Sequence, residues 1–340
     1  MAISGSEVRG ESRAAQTFGR VERVLLAAGI VLFVVLLWQL GVDTVGENLL
    51  LIGWGFVPIL GQEIGAIVAN TLGWRWAFPA DRRNIAFWLL AEARLAGDAI
   101  NNVTPTATMG GELIRARMLG GAVDSSSLWA SVVIAKITQA AGQIVFIFAG
   151  FLLVIESTHL PPGIARALLI GLGLIGTGIA VAVVLQRRGM FVFGAELARR
   201  VGLPVPAHLD ERLKKLDDEV ARFHRDPRAF LASTAWFLVG WLFGVVEVWL
   251  ILHFLGIGAE WRRALTIEIL STSIDAILFF VPAKVGTQEG GKALIFSILQ
   301  LDPAKGFALG IARRIRELFW SMVGLLLLSR QQARARSARP

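Results

Sequence analysis

No cysteine occurs among the 340 residues, which excludes disulfides, thiol catalysis and cysteine metal sites. Histidine is almost as scarce. His159, His208, His224 and His253 are scattered, and no pair has the close helical spacing of a zinc site, so neither a metal nor another cofactor is expected. Charge is thin as well: 18% of residues are charged against 55% hydrophobic, with a mean hydropathy of +0.62. A soluble globular chain of this length rarely shows that balance.

What the chain does have is long apolar runs. Residues 24–41, 49–72, 128–155, 168–185, 230–255 and 307–328 approach or exceed the roughly 18 to 20 residues that a helix needs to cross about 30 Å of hydrocarbon. The expected class is an all-α polytopic membrane protein with six full spans. Arg9, Arg13, Arg20 and Arg23 precede the first run, but no small-residue cleavage site follows it, so it reads as a retained anchor. The net charge of +8 is unevenly placed. Basic residues crowd the N-terminal tail, the loop with Arg75, Arg82 and Arg83, the stretch from Arg187 to Arg228 and the tail from Arg330 to Arg339, whereas the opposite loops hold only Arg166, Arg262, Arg263 and Lys305. The positive-inside rule makes the crowded side cytoplasmic, which predicts an inner-membrane protein with both termini in the cytoplasm. The basic charge then meets anionic lipid heads, and nucleic acid is excluded as a partner.

Two stretches do not read as simple spans. Residues 84–120 are interrupted by Asn101, Asn102, Pro105 and Gly110-Gly111, and residues 264–301 by Pro282, Gly286 and Gly290-Gly291. Orientation bookkeeping makes each a re-entrant hairpin, the first entered from the cytoplasmic side and the second from the outer side. Non-helical backbone at that depth needs protein or a watery cavity around it. A shift of 177 positions superposes the two without a gap: Asp98 falls on Asp275, Pro105 on Pro282, Glu112 on Glu289, Arg115 on Lys292 and Lys136 on Arg313. The chain therefore divides into a cytoplasmic tail 1–23, a first membrane repeat 24–157 holding hairpin 84–120, and the start of a second repeat at 158–186. A cytoplasmic linker 187–228 with an amphipathic helix follows, then the rest of the second repeat 229–329 with hairpin 264–301, and a tail 330–340. The linker helix carries a stripe of Leu209, Leu213, Leu216, Val220 and Phe223 and is expected to lie on the membrane surface. Two oppositely oriented copies make an inverted repeat, the signature of alternating-access transporters with substrate sites at interrupted helices near the midplane.

An ionisable side chain at the bilayer centre costs about 2.5 to 3.5 kcal/mol on insertion scales. Asp98, Glu112, Lys136, Asp275, Glu289 and Arg313 must therefore face one another or water. Arg94, Asp98, Asn101 and Pro105 share one helical face, with Asn102 beside them, and form a polar wall leading to the break. In the second copy Ser271 and Leu278 replace Arg94 and Asn101, so its cavity is expected to be greasier. After each break a short helix restarts near Gly110-Gly111 or Gly286, leaving unpaired N–H groups that can hold an anion; Arg115 or Lys292 sits one turn later to meet a phosphate. The blander alternative makes Glu112 with Arg115, and Glu289 with Lys292, helix pairs that fix the hairpins. Arg313 with Glu317 can pair in the same way, while Arg314 and Arg316 cannot both share that partner, so at least one lines a cavity. Glu63 and Glu247, in corresponding spans, either carry a coupling proton or hydrogen-bond a hairpin. Trp74, Trp76, Trp129 and Trp261 near span ends read as interfacial anchors.

The run from Arg94 to Leu119, with Asn101-Asn102, Pro105-Thr106 and Gly110-Gly111-Glu112, resembles the transmembrane flippase region of the lysylphosphatidylglycerol synthase family. Pro282 to Gly286, Glu289, and the run Arg313-Arg314, Arg316-Glu317-Leu318 with Gly324 are similar to that family's second signature. The resemblance implies movement of a membrane lipid with a phosphate or other polar headgroup between leaflets, along a path lined by the hairpin residues. Full-length synthases append a soluble acyltransferase-like domain, and this chain ends at Pro340 soon after its last span; the expectation is a stand-alone member that is not an enzyme. Three rivals stay open. A membrane-embedded transferase or hydrolase would need a nucleophile or metal constellation, and none is seen. A non-catalytic partner of a lipid-synthesis or cell-envelope complex would pair off its buried charges and leave no headgroup-sized cavity. A proton-coupled small-solute transporter would enclose a sealed central one.

Overall fold

The computed structural model describes residues 31–79, 84–103, 109–120, 123–154, 189–202, 209–223, 225–277 and 286–337, with isolated positions between 163 and 184 and residue 206. Among the described residues every regular element is helical: α1 (Val31–Leu40), α2 (Val42–Ile52), α3 (Phe56–Trp76), α4 (Phe87–Val103), α5 (Met109–Leu119), α6 (Ser125–Val154), α7 (Met190–Arg200), α8 (Asp210–Phe223), α9 (Pro227–Phe254), α10 (Trp261–Ile277), α11 (Thr287–Ile298) and α12 (Pro303–Ser337). Three helical stretches among the described residues are long and apolar enough to cross a membrane: Val42–Trp76, Ser126–Leu153 and Pro227–Phe254.

The helix expected from residue 49 begins earlier, at Val42, because Gly41 takes φ 85° and separates it from α1; that is a left-handed geometry glycine adopts without steric cost. The expected span 168–185 falls mostly outside the described residues. The run 307–328 lies inside α12, where Arg313, Arg314, Arg316 and Glu317 interrupt its apolar sequence. Caps are local and legible. Asp226 accepts the N–H of Ala229 at 3.1 Å, with Pro227 opening α9, and Asp302 accepts that of Ala304 at 2.9 Å at the head of α12. Each fills one of the donors that a helix start leaves bare.

The packing is organised around two pairs of helices. α3 and α9 run antiparallel, and glycines at and within α3 receive phenylalanines of α9: Gly55, which caps the start of α3, lies against Phe254, Gly65 against Phe243 and Gly73 against Phe237. Small residues let the backbones approach, which is what drives helix association where lipid offers no hydrophobic gain. Across the same junction Ser233 donates to the Gly73 carbonyl at 2.8 Å and meets Thr138 of α6 at 2.8 Å. α12 is the longer strut. Its first third lies on α11, where Gly306 faces the Lys292 carbonyl and Phe296, and Gly310 faces Glu289; further along, Gly324 sits on the α4 backbone at Leu95. Arg313, Arg314, Arg316 and Glu317 of α12 fall between those two contacts.

The linker helix is held against the rest of the protein. On α8 the stripe Leu216, Val220 and Phe223 packs into the protein, in one cluster with Leu128, Ala229, Phe230 and Phe191. Asp217 of the same helix accepts the N–H groups of Phe191 and Val192 at 3.0 and 2.9 Å, tying down the start of α7. The outward apolar side chains are instead Trp38, Leu50, Trp54 and Ile64 on α1 to α3, Phe148 and Leu152 on α6, and Leu318 and Met322 on α12. Large apolar side chains exposed in that number suit an apolar medium.

Candidate functional site

Two ion-pair clusters occupy the interior. The first joins α4, α5 and α6. Arg115 Nη2 lies 2.5 Å from Asp98 Oδ1, and Arg115 Nη1 lies 2.7 Å from Glu112 Oε2. Lys136 Nζ reaches Glu112 Oε1 at 3.1 Å, and Arg94 Nε lies 3.6 Å from Asp98 Oδ2. The two helices of the hairpin touch backbone to backbone at Gly97 and Gly111, and Asn101 Oδ1 accepts the Gly111 N–H at 2.8 Å. Arg115 also lies over the ring of Trp74, 5.6 Å from its centroid. These contacts correct two expectations. The start of α5 already has an acceptor in Asn101, so it is not simply an open anion site. Trp74 is buried and donates to Ser131 at 3.2 Å, which makes it a wall of this cluster and not an interfacial anchor.

The second cluster joins α3, α9, α10, α11 and α12. Arg313 Nε lies 3.1 Å from Glu247 Oε2, and its Nη2 donates to Glu268 and, at 3.2 Å, to the Gly244 carbonyl. Arg316 pairs with Glu63 through Nη1 and with Glu247 Oε1 at 2.8 Å through Nε. Arg314 Nε meets Glu289 Oε1 at 3.2 Å, and its Nη1 meets Glu317 Oε2 at 3.4 Å. Glu289 Oε2 in turn accepts the Gly286 N–H at 2.8 Å, fixing the start of α11, where Gly286 has φ 76°. Two pairings differ from the sequence reading. Arg313 takes Glu247 and Glu268 in place of Glu317, because those acids come from neighbouring helices on the side Arg313 faces. Glu289 takes Arg314 in place of Lys292, whose Nζ donates instead to the Gln288 carbonyl at 3.4 Å.

Between the clusters lies a cavity of about 80 Å³ lined by Glu63 and Ile67 of α3, Leu95, Asp98, Ala99 and Asn102 of α4, and Arg316, Glu317, Trp320 and Ser321 of α12. Asn102 donates to Ser321 Oγ at 3.1 Å across it. Trp320 donates its indole N–H to the Leu60 carbonyl at 3.2 Å. Glu63 and Glu247, related in sequence only by lying in corresponding spans, are brought together by Arg316 where α3 crosses α9. Asp275 is half-buried on α10, while Pro105, Pro282 and Leu278 lie outside the described residues. Glu268 and Ser321 escaped the sequence reading. The intramembrane-acid rule would have found Glu268, but the 177-residue shift places Ala91 opposite it, and attention to the repeat passed it over. Ser321 carries no signal beyond lying one turn from Glu317.

Comparison with known proteins adds to this geometry. A family model described as the lysylphosphatidylglycerol synthase TM region matches residues 22–324. The UPF0104 membrane protein of Pyrococcus horikoshii is 21% identical over 336 residues, covering 91% of this chain and 97% of that protein. No solved structure matches.

Proposed function

The chain belongs to the lysylphosphatidylglycerol synthase TM region family, and on that premise we propose that it is a lipid flippase or lipid transporter. It moves a lipid with a polar or anionic headgroup between leaflets of the inner membrane by alternating access, and is not an enzyme. The observation that carries this reading is the cavity between the two clusters, in which carboxylates, a guanidinium, an amide and a hydroxyl from three helices converge. Its volume of about 80 Å³ is below the roughly 300 to 1,000 Å³ of small-ligand sites, so in this proposal it takes only the polar tip of a headgroup. In this scheme residues 84–120 and 264–301 are re-entrant hairpins of opposite orientation, broken near Pro105 and Pro282, and both termini are cytoplasmic. Arg94, Asp98, Asn101, Asn102, Glu112, Arg115 and Lys136 serve one access route. Asp275, Glu289, Lys292, Arg313, Arg316 and Glu317 serve the other, and Glu63 with Glu247 is the place for a coupling proton.

One observation favours a second reading. The buried charges are extensively paired, as they would be in a non-catalytic partner of a lipid-synthesis complex. The cavity counts against it, since a scaffold has no use for a polar void. Vesicles reconstituted with the purified protein and fluorescent lipid analogues carrying either glycosyl or phosphate headgroups decide between them. The wild type is expected to expose inner-leaflet label faster than empty vesicles. Asp98→Asn and Glu317→Gln, which keep side-chain shape, are expected to slow that about tenfold or more, a change of roughly 1.4 kcal/mol in barrier, with thermal unfolding near wild type. Wild-type vesicles no faster than empty ones, or both variants at the wild-type rate, would overturn the proposal.

A further inference from the structure

Resting on the transport reading, we infer that the group held in the cavity is an uncharged polyol, with adjacent hydroxyls as on a glycosyl or glycerol headgroup, and neither a phosphate nor an amine. The reasoning starts from charge. Each charged side chain lining the cavity already has a counter-ion: Asp98 has Arg115 and Arg94, Glu63 has Arg316, and Glu317 has Arg314 and Arg316. Arg316 is in turn held by Glu63, Glu247 and Glu317. A phosphate needs a guanidinium edge that no carboxylate occupies, and an ammonium needs a carboxylate that no guanidinium occupies. Either ligand would have to break a standing pair and strand a buried charge, which is strongly unfavourable.

Hydrogen-bonding capacity is a different matter, because a carboxylate has about four acceptor positions and a pairing uses only some of them. Asp98 Oδ2 has Arg94 only at 3.6 Å, and Glu317 has its two arginines at 3.4 and 3.9 Å. Those oxygens can still accept from hydroxyl groups without losing their counter-ions. Asn102 and Ser321, which bridge the cavity at 3.1 Å, each both donate and accept, as a hydroxyl partner requires. Trp320 completes the set. Its N–H is taken by the Leu60 carbonyl, so what it offers the cavity is the apolar ring, a plate for the C–H face of a sugar or glycerol. A wall rich in acceptors, two bifunctional groups and one flat apolar side match a neutral polyol.

The test uses fluorescent lipids with a common tail, namely glucosyl diacylglycerol, phosphatidic acid and phosphatidylethanolamine, offered to the protein purified in a detergent without sugar. Two readouts run in parallel: retention of each lipid by native mass spectrometry, and translocation in vesicles. The glucosyl lipid is expected to be retained and moved at least about tenfold better than the other two. Asn102→Ala and Ser321→Ala should erase that preference. Phosphatidic acid or phosphatidylethanolamine handled as well as the glucosyl lipid overturns the inference while leaving transport intact. A glucosyl lipid that is selectively retained but never moved upholds the ligand class and overturns the transport reading. Loss of neither retention nor preference in the two variants overturns the assignment of this cavity.

Discussion

The two hairpins share a sequence skeleton but not a state. In the first, the side chains of Asp98 and Lys136 are 43% and 47% exposed, and α5 touches α6 only lightly. In the second, Arg313, the counterpart of Lys136, is 9% exposed and α11 lies packed along α12, whereas Asp275 is half-buried like Asp98, and Glu112 with Arg115 is buried just as Glu289 with Lys292 is. The 177-residue shift sets Lys136 opposite Arg313 and Glu112 opposite Glu289, yet only the first of these cation and acid pairs is made. The second half gives Glu289 to Arg314, the next residue along, about 100° further round the helix. Arg313 is thereby turned to Glu247 and Glu268. One skeleton supports two wirings, with the cation half-exposed in one half and buried in the other.

The largest effect that tests this contrast comes from removing the two equivalent cations. Arg313→Ala leaves Glu247 and Glu268 buried and without their shared partner, which is expected to cost about 3 to 5 kcal/mol. Lys136→Ala removes a half-exposed partner of Glu112, which keeps Arg115, so the cost should be about 1 kcal/mol or less. Denaturant titration in mixed micelles measures both. Equal losses would mean that the halves do not differ in burial as described. A smaller effect concerns the packing of α11 on α12. A methyl added at Gly310 would lie 2.8 Å from the Glu289 Cα, and Gly310→Ala is expected to cost about 1 to 3 kcal/mol by overpacking. The residue opposite it under the shift, Val133, lies where α5 packs lightly, and Val133→Leu should stay within about 0.5 kcal/mol. If Val133→Leu proved as costly as Gly310→Ala, the first half would be as tightly packed as the second.

How far the sequence alone carried follows from the physics of each feature. Helical class, and the apolar runs in α3, α6 and α9, were legible because bilayer thickness imposes a length and a composition. The restart of helices near Gly110-Gly111 and Gly286 was legible because glycine at such breaks has a local reason. Pairing was not. The i, i+4 rule offered Glu317 to Arg313, but a helix in a bundle also faces its neighbours, and Glu247 and Glu268 come from α9 and α10. The partner of the α8 stripe was not legible for a related cause: an amphipathic stripe states that one face is buried, not whether lipid or protein covers it. Trp74 was misread in the same way, its end-of-span position being equally suited to an interface and to a cation-facing wall.

The smallest expected effect bears on whether the cavity belongs to the first half alone. Asn102 of α4 and Ser321 of α12 are hydrogen-bonded at 3.1 Å and join the first hairpin to the strut that carries the second cluster. Replacing Asn102 by Ala removes one hydrogen bond between partly buried groups, so the fold should lose only about 0.5 to 1.5 kcal/mol. If that bond merely ties α4 to α12, Ser321→Ala should produce the same loss, and the double variant should lose no more than either single one, because both changes delete one contact. If the two groups also serve a ligand, the stability cycle will look the same while translocation in the double variant falls below that of either single variant, since each residue then contributes its own bond to the headgroup. A double variant that transports as well as the singles would confine Asn102 and Ser321 to holding the first hairpin against the second half.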